Sequence, residues 1–279
     1  MRMQTYRRKV GALEVIIHVE KELYKYVPHV FDAIFCTFEQ CYYVDSPDAI
    51  HIYSQKNPYD EYKYPCFCNT RNPMWIFLMI NTLEYYLYKI LNCTVFHGAC
   101  VKINNKNILI VGERKSGKTT LTKYWVNMYN AVYMGDDSIF TINNVFYGFS
   151  FPILMRKIDK KTKPLSTTKD EENHKRYIYS FENFFAQASR IDFIIFPKYD
   201  RLIEFQCDQI KDRFLFEALL SNVKESKDMQ TMFNDINNLV STAQAYRIHY
   251  NKCRNIVKFI DEHSENKTVR KSERENHGC

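Results

Sequence analysis

Residues 96–120 read FHGACVKINNKNILIVGERKSGKTT and hold three of the chain's seven glycines, Gly98, Gly112 and Gly117. Glycine is needed where backbone turns sharply or approaches a ligand closely. Five of the seven fall between residues 98 and 148, so this window is where chemistry is expected. Inside it, Ile108–Val111 is a short, wholly apolar run bounded by turn signals, the pattern of a fully buried strand. The preceding Asn104-Asn105-Lys106-Asn107 reads as a hairpin turn from a strand over Ala99–Ile103, with Val95 a further β residue.

Directly after the apolar run, Gly112-Glu113-Arg114-Lys115-Ser116-Gly117-Lys118-Thr119 satisfies G-x-x-x-x-G-K-[ST] in full, and Thr120 continues it into a helix carrying Leu121, Trp125 and Met128. The residue types follow from the chemistry. Backbone N–H groups of a tight loop wrap phosphate oxygens, and the helix N-terminus adds its positive end. Lys118 then reaches the terminal phosphates and Thr119 offers an oxygen to Mg²⁺. The plain alternative is a helix capped by Ser116 beside an incidental lysine, which leaves the buried-type strand before it unexplained.

Eighteen residues beyond Lys118, Met134-Gly135-Asp136-Asp137 closes an apolar strand over Ala131–Met134. Two carboxylates at a strand's carboxyl end can divide labour, one holding Mg²⁺ and the other taking the proton of an attacking hydroxyl. The alternatives are a solvated turn or a helix cap, but position after a phosphate loop favours the catalytic reading. Asp200, after Pro197-Lys198-Tyr199, is the competing metal-side carboxylate and reads as a turn residue. His97 precedes the loop by one hairpin. Spacing leaves open whether it is a turn or core residue, or an imidazole reaching the transferred phosphoryl group.

Farther out, punctuation and period divide the chain into 1–90, 91–262 and 263–279. The first part reads as a small α+β region with strands at Leu13–Val19 and Ala49–Ser54, a helix over Val27–Glu39, a polar loop over Asn57–Pro73 and an amphipathic helix over Met74–Leu91. After the acidic pair come a strand at Ile191–Phe196 stopped by Pro197, helices at Phe214–Asn222 and Gln230–Leu239, a strand at Tyr246–Tyr250 and a last element at Ile256–Ile260. The tail from His263 lacks apolar periodicity and is expected to be disordered.

The net charge is +7, and the tail does not cause it, since Asp261–Cys279 holds four Lys/Arg against five Asp/Glu. No zinc-finger, homeodomain or RNA-recognition pattern accompanies the charge, so nucleic acid is not the expected partner. Nine cysteines without a CxxC pair, and an N-terminus without a secretory apolar segment, point to reduced thiols in the cytoplasm. No apolar run is unbroken enough to predict a membrane span.

The order Phe96-His97-Gly98, hairpin, Ile108–Val111, Gly112–Thr119, helix, Gly135-Asp136-Asp137 resembles the catalytic domain of HPr kinase/phosphorylase. It is still more similar to the HPr-kinase-like proteins of bacterial peptide-modification gene clusters of the lasso-peptide type. Weaker likenesses to the second group are Phe151-Pro152, the strand ending Ile194–Asp200, and Ala245-Tyr246-Arg247 leading into Tyr250. The resemblance implies an α/β P-loop kinase domain of the kind shared with ATP-dependent phosphoenolpyruvate carboxykinase, preceded by the small α+β region. It also implies an ATP- and Mg²⁺-dependent serine kinase acting on a peptide or protein, with an oligomer compatible. By position, Asp136 takes the general base's role, Asp137 and Thr119 the metal side, His97 a place by the phosphates, and Lys118 the phosphate itself.

Two departures narrow this. The family loop usually reads G-x-S-G-x-G-K-S, whereas Arg114 and Lys115 stand at the central Ser-Gly here. The Glu-x-Arg-Gly motif that follows the acidic pair in HPr kinases is missing, so HPr as substrate, the reverse reaction and the hexamer are not carried over. In its place, Arg156–Arg176 holds eight Lys/Arg against four Asp/Glu, which reads as a solvated loop or a mobile basic segment closing over phosphates, with Arg156 its first candidate. The readings that compete with a peptide kinase are a small-molecule kinase on the same site, and a nucleotide-binding module that docks peptide through residues 1–90.

Overall fold

The apolar run becomes the middle of a sheet buried on both faces. The computed structural model describes residues 93–148 and 187–263 without a break, with 3–10, 13–20, 39–41, 50–53, 64–67, 153–156, 166–169 and 175–179 as shorter stretches, and single positions at Pro164 and Phe181. Strands β1 (Met3–Val10), β2 (Leu13–Glu20), β3 (Glu39–Cys41), β4 (Ile50–Tyr53) and β5 (Tyr64–Phe67) make one mixed sheet in the order β3-β1-β2-β4-β5. The strands read at Leu13–Val19 and Ala49–Ser54 are β2 and β4. The polar loop read over Asn57–Pro73 contains β5, whose parallel pairing with β4 overrides its weak local pattern. The helices read at Val27–Glu39 and Met74–Leu91, and the tail beyond His263, lie outside the described residues except for Glu39, which opens β3.

From Cys93 the chain runs β6 (Cys93–Phe96), β7 (Gly98–Ile103), β8 (Lys106–Val111), α1 (Lys118–Tyr129), β9 (Val132–Gly135), β10 (Ile139–Ile142) and β11 (Val145–Gly148). After β12 (Ile153–Met155), β13 (Ser166–Lys169) and β14 (Lys175–Tyr179) come β15 (Gln187–Ala188), β16 (Phe193–Tyr199), β17 (Phe205–Ile210), α2 (Asp212–Leu220), β18 (Val223–Ser226), α3 (Met229–Thr242) and β19 (Gln244–Tyr250). A last helix, α4, covers residues 253–263. The main sheet has the order β17-β19-β16-β8-β7-β9, with β8, β16 and β19 parallel. A second sheet has the order β15-β11-β10-β6-β18, and a third pairs β12-β14-β13.

Strand alternation between two buried faces explains why Ile108–Val111 of β8 is apolar throughout. Ile108 and Ile110 point into a core shared with Leu121 and Trp125 of α1 and Ile256 and Val257 of α4. Leu109 and Val111 point to the other side, where Phe96, Ile139, Leu215, Leu219 and Ile236 close over them. The sheet is thus covered on one face by α1 and α4 and on the other by the second sheet with α2 and α3. Among the described residues, no helix is long and apolar enough to cross a membrane.

Four local readings are corrected. The hairpin turn is Asn104-Asn105 alone, both in the left-handed region at φ +48° and +62°, while Lys106 and Asn107 already belong to β8. Met128 faces solvent at 52% exposure, whereas Leu121 and Trp125 are buried and Tyr124 and Val126 pack against the same core. The strand read as ending before Pro197 continues to Tyr199. This is tolerated because pairing with β8 covers only Phe193–Ile195, so Pro197 lies beyond that ladder and its missing N–H costs nothing there. The basic stretch Arg156–Arg176 is not one open loop, because β13 and the start of β14 pair antiparallel inside it.

Candidate functional site

Two strands that leave one sheet and enter the other build the site. β6 belongs to the second sheet and β7 to the main one, and His97 is the single residue between them. The crossover requires glycine next, because a Cβ on Gly98 would stand 2.7 Å from the Ile110 carbonyl oxygen and 2.9 Å from Val111 Cγ1. β9 and β10 repeat the move in the other direction, and Gly135-Asp136-Asp137-Ser138 spans their junction. Asp137 takes the left-handed conformation, at φ +73°. Both crossovers open at the carboxyl end of β8, where the phosphate-type loop begins.

That loop ends at Gly117, which caps α1 at φ +102°, and no side chain caps this helix. Ser116 therefore does not cap it, and the first-turn N–H groups remain available to an anion at the loop. A Cβ on Gly117 would stand 2.8 Å from the Tyr250 hydroxyl, so close packing and φ both demand glycine. Lys115 sits at φ +70°, a conformation that glycine adopts freely and other residues rarely. Glu113, Arg114 and Lys115 are exposed, and Thr120 is exposed on the first turn of α1.

Lys118 is buried and folds over the loop, its Nζ donating to the carbonyls of Gly112 at 2.7 Å and Glu113 at 3.0 Å. Burial pulls its pKa below the ordinary lysine value, and Asp136 opposes the shift. Thr119 donates its hydroxyl to Oδ2 of Asp136 at 2.8 Å, tying the loop to the acidic pair. The other oxygen, Oδ1, is buried without a hydrogen-bond partner. Burial raises the Asp136 carboxyl to about 6, against the stabilising bond from Thr119.

Asp137 faces outward, with 66% of its side chain exposed. His97 Nε2 stands 3.5 Å from its Oδ1, and Lys224 Nζ stands 3.3 Å from its Oδ2. Burial, then the charge of Lys118, lowers the His97 pKa below the usual histidine range, which keeps the imidazole neutral near pH 7.

Lys224 escaped the sequence reading. It also donates to Ser138 Oγ at 2.9 Å. β18 pairs with β6 through Val223 opposite Phe96 and Glu225 opposite Val95, so Lys224 is the extra residue of a bulge. A bulge re-aims one side chain out of the strand's alternation, and here it aims at the acidic pair. The only sequence signal was the helix, short strand, helix spacing around it. His97, Gly112, Glu113, Arg114 and Ser221–Lys224 line a cleft of about 360 Å³ next to the loop.

Of the residues expected at the site, the structure brings together His97, the loop 112–119, Asp136 and Asp137. No contact among the described residues joins Arg156, exposed just past β12, to the loop. Asp200 is a turn residue as read, its N–H bonded to the Tyr250 carbonyl and its Oδ1 to the Leu202 N–H. Among the described residues, no group of three His, Cys, Asp or Glu side chains gathers for a metal.

No protein-family model matches the chain, and no curated protein matches it. Among solved structures, the HPr(Ser) kinase/phosphatase from Coxiella burnetii is similar over 66% of this chain and 99% of that one, at 12% identity and a TM-score of 0.34. A likeness of that strength carries no argument about this chain, and the function rests on the geometry of the site.

Proposed function

We propose that the chain is an ATP-dependent kinase that transfers the γ-phosphoryl group to a hydroxyl, with a serine of a ribosomally made precursor peptide or of a protein as acceptor. The observation that carries this reading is the 2.8 Å hydrogen bond from Thr119 to Asp136, which makes the phosphate loop and the carboxylate pair one site. A binding module needs the loop alone; transfer to a hydroxyl needs a proton acceptor beside it. The peptide acceptor is supported by the motif order, and a cytoplasmic setting by Cys93, Cys100, Cys207 and Cys253, none of which forms a disulfide.

The residues fit Mg²⁺. Thr119 supplies a hydroxyl, and Asp136 has a buried oxygen without a hydrogen-bond partner. Mg²⁺ takes one or two protein oxygens and fills its other positions with phosphate and water, so a larger ligand cluster is not required. Thr119 and Asp136 would hold it, and when bound it neutralises charge on the β- and γ-phosphates. This exchanges the roles within the acidic pair relative to the order that the resemblance implies.

The remaining work falls to the chain. N–H groups of residues 113–119 hold the phosphate oxygens, and Lys118 moves from the loop carbonyls onto the terminal phosphates. Neutral His97 donates a hydrogen bond to the transferred group. Asp137, exposed beside His97, takes the proton of the attacking hydroxyl as the hydroxyl oxygen bonds to the γ-phosphorus and the bond to ADP breaks. Lys224 holds the Asp137 carboxylate from the opposite side.

The test is transfer of label from γ-labelled ATP with Mg²⁺ to a panel of serine peptides, HPr, free serine and short sugars. Label on a serine peptide, lost with Asp137→Asn, is the expected result. Label on a sugar or free serine instead would reassign the acceptor to small molecules. Tight ATP binding with no label on any acceptor would contradict the kinase reading.

A further inference from the structure

The phosphate loop and acidic pair account for the reacting end of a nucleotide; the position of its base follows from the sheet order. Asp136, Asp137 and His97 stand at the β9 and β7 side of β8, while β16 and β19 lie on the other side. The nucleoside therefore leads away over the carboxyl ends of β16 and β19, the crevice in which open parallel sheets bind ligands. The loop after β16 lies there.

With Tyr199 at the end of β16, 52% exposed, this loop through Leu202, 94% exposed, presents two large apolar side chains. It is pinned at several points. Asp200 N donates to the Tyr250 carbonyl at 2.9 Å and Leu202 N to Asp200 Oδ1 at 2.9 Å. Asn251 N and Asn255 Nδ2 both donate to the Glu204 carbonyl, at 3.4 and 3.2 Å. Tyr199 packs edge-on against Tyr250, with ring centres 5.9 Å apart at 78°, and the Tyr199 Cβ is 4.0 Å from where a Cβ on Gly117 would stand. A single exposed leucine needs no explanation. An exposed aromatic side chain against the last glycine of the phosphate loop, followed three residues on by an exposed aliphatic one on a pinned loop, forms a ledge.

We propose that Tyr199 and Leu202 are the shelf on which the base of a nucleoside triphosphate lies, an assignment that rests on the nucleotide reading above. Stacking on an aromatic ring tolerates any base and grows with its size. Purine triphosphates are thus preferred to pyrimidine ones, with weak discrimination between adenine and guanine.

Calorimetric binding of ATP and of inorganic tripolyphosphate to the full chain separates this from the phosphate site. Wild type binds ATP more tightly than tripolyphosphate. Tyr199→Ala weakens ATP by about five- to a hundredfold, the range for losing one base–aromatic stack, and leaves tripolyphosphate within about twofold. Tyr199→Phe keeps the wild-type affinity. Leu202→Ser, at a position too exposed to threaten folding, weakens ATP alone and by less. Equal binding of ATP and tripolyphosphate by wild type, or an equal loss of both in Tyr199→Ala, would overturn the shelf while leaving the phosphate site intact. Binding of neither by wild type would overturn the nucleotide reading, and the shelf with it.

Discussion

The phosphate loop and the two sheet crossovers beside it are built in opposite ways. The loop is one contiguous segment, strand, turn and helix, whose geometry is set by its own residues. The crossovers assemble His97, Asp136, Asp137 and Lys224 from segments up to 127 residues apart, and each depends on a glycine, a left-handed residue or a bulge. On this account the contiguous part binds and the assembled part reacts. Mutations in the two should therefore separate affinity from turnover.

The largest effect is expected from the assembled part. Asp137→Asn lowers transfer by about 10²–10⁴, the range for losing a general base, with ATP affinity within a few fold by calorimetry. Lys118→Ala, in the loop, weakens affinity and turnover together, and the comparison breaks if it changes only the rate. Lys224→Met should lower kcat by roughly tenfold with little change in KM, as expected when a carboxylate loses a partner that orients it, and Lys224→Arg should restore part of the rate. If Lys224→Met instead raised KM alone, the lysine would belong to substrate binding.

Two smaller effects concern stability. Burial raises the folded-state pKa of Asp136 to about 6 from an ordinary 3.8. The folded chain thus binds the proton more tightly than the unfolded one, so the ionised carboxylate costs stability above about pH 6, and that cost disappears below about pH 4. In metal-free buffer, Asp136→Asn should raise Tm by roughly 5–10 °C at pH 8 and leave it unchanged near pH 4. Least of all, Lys115→Gly should alter the unfolding free energy from denaturant titration by less than about 1 kcal/mol, because relief of the left-handed strain is offset by the entropy of glycine. A large loss would show that the Lys115 side chain holds the loop.

How far the sequence could be read follows the same division. β8, the loop and α1 were legible because buried alternation, glycine positions and the phosphate motif are local. The acidic pair was legible as a pair, but its order was not, because the Thr119–Asp136 contact joins two elements that the sequence separates by a helix. His97 was left undecided for the same reason. Lys224 carried no signal beyond the spacing of the elements around it, since a bulge depends on what the partner strand pairs with. Arg156 rested on charge density alone, which says nothing of where a segment lies. One missed signal was available: Asn143-Asn144, at φ +51° and +63°, turns β10 into β11 as Asn104-Asn105 turns β7 into β8. The same dipeptide read at the first site would have found the second hairpin.

The most direct test of the division between binding and reaction is single-turnover transfer from γ-labelled ATP to a serine peptide, with ATP affinity measured on the same wild-type, Lys118→Ala and Asp137→Asn proteins. The account predicts that Asp137→Asn binds ATP normally and transfers at least a hundredfold more slowly, whereas Lys118→Ala loses both. Wild-type transfer rates in Asp137→Asn would contradict it.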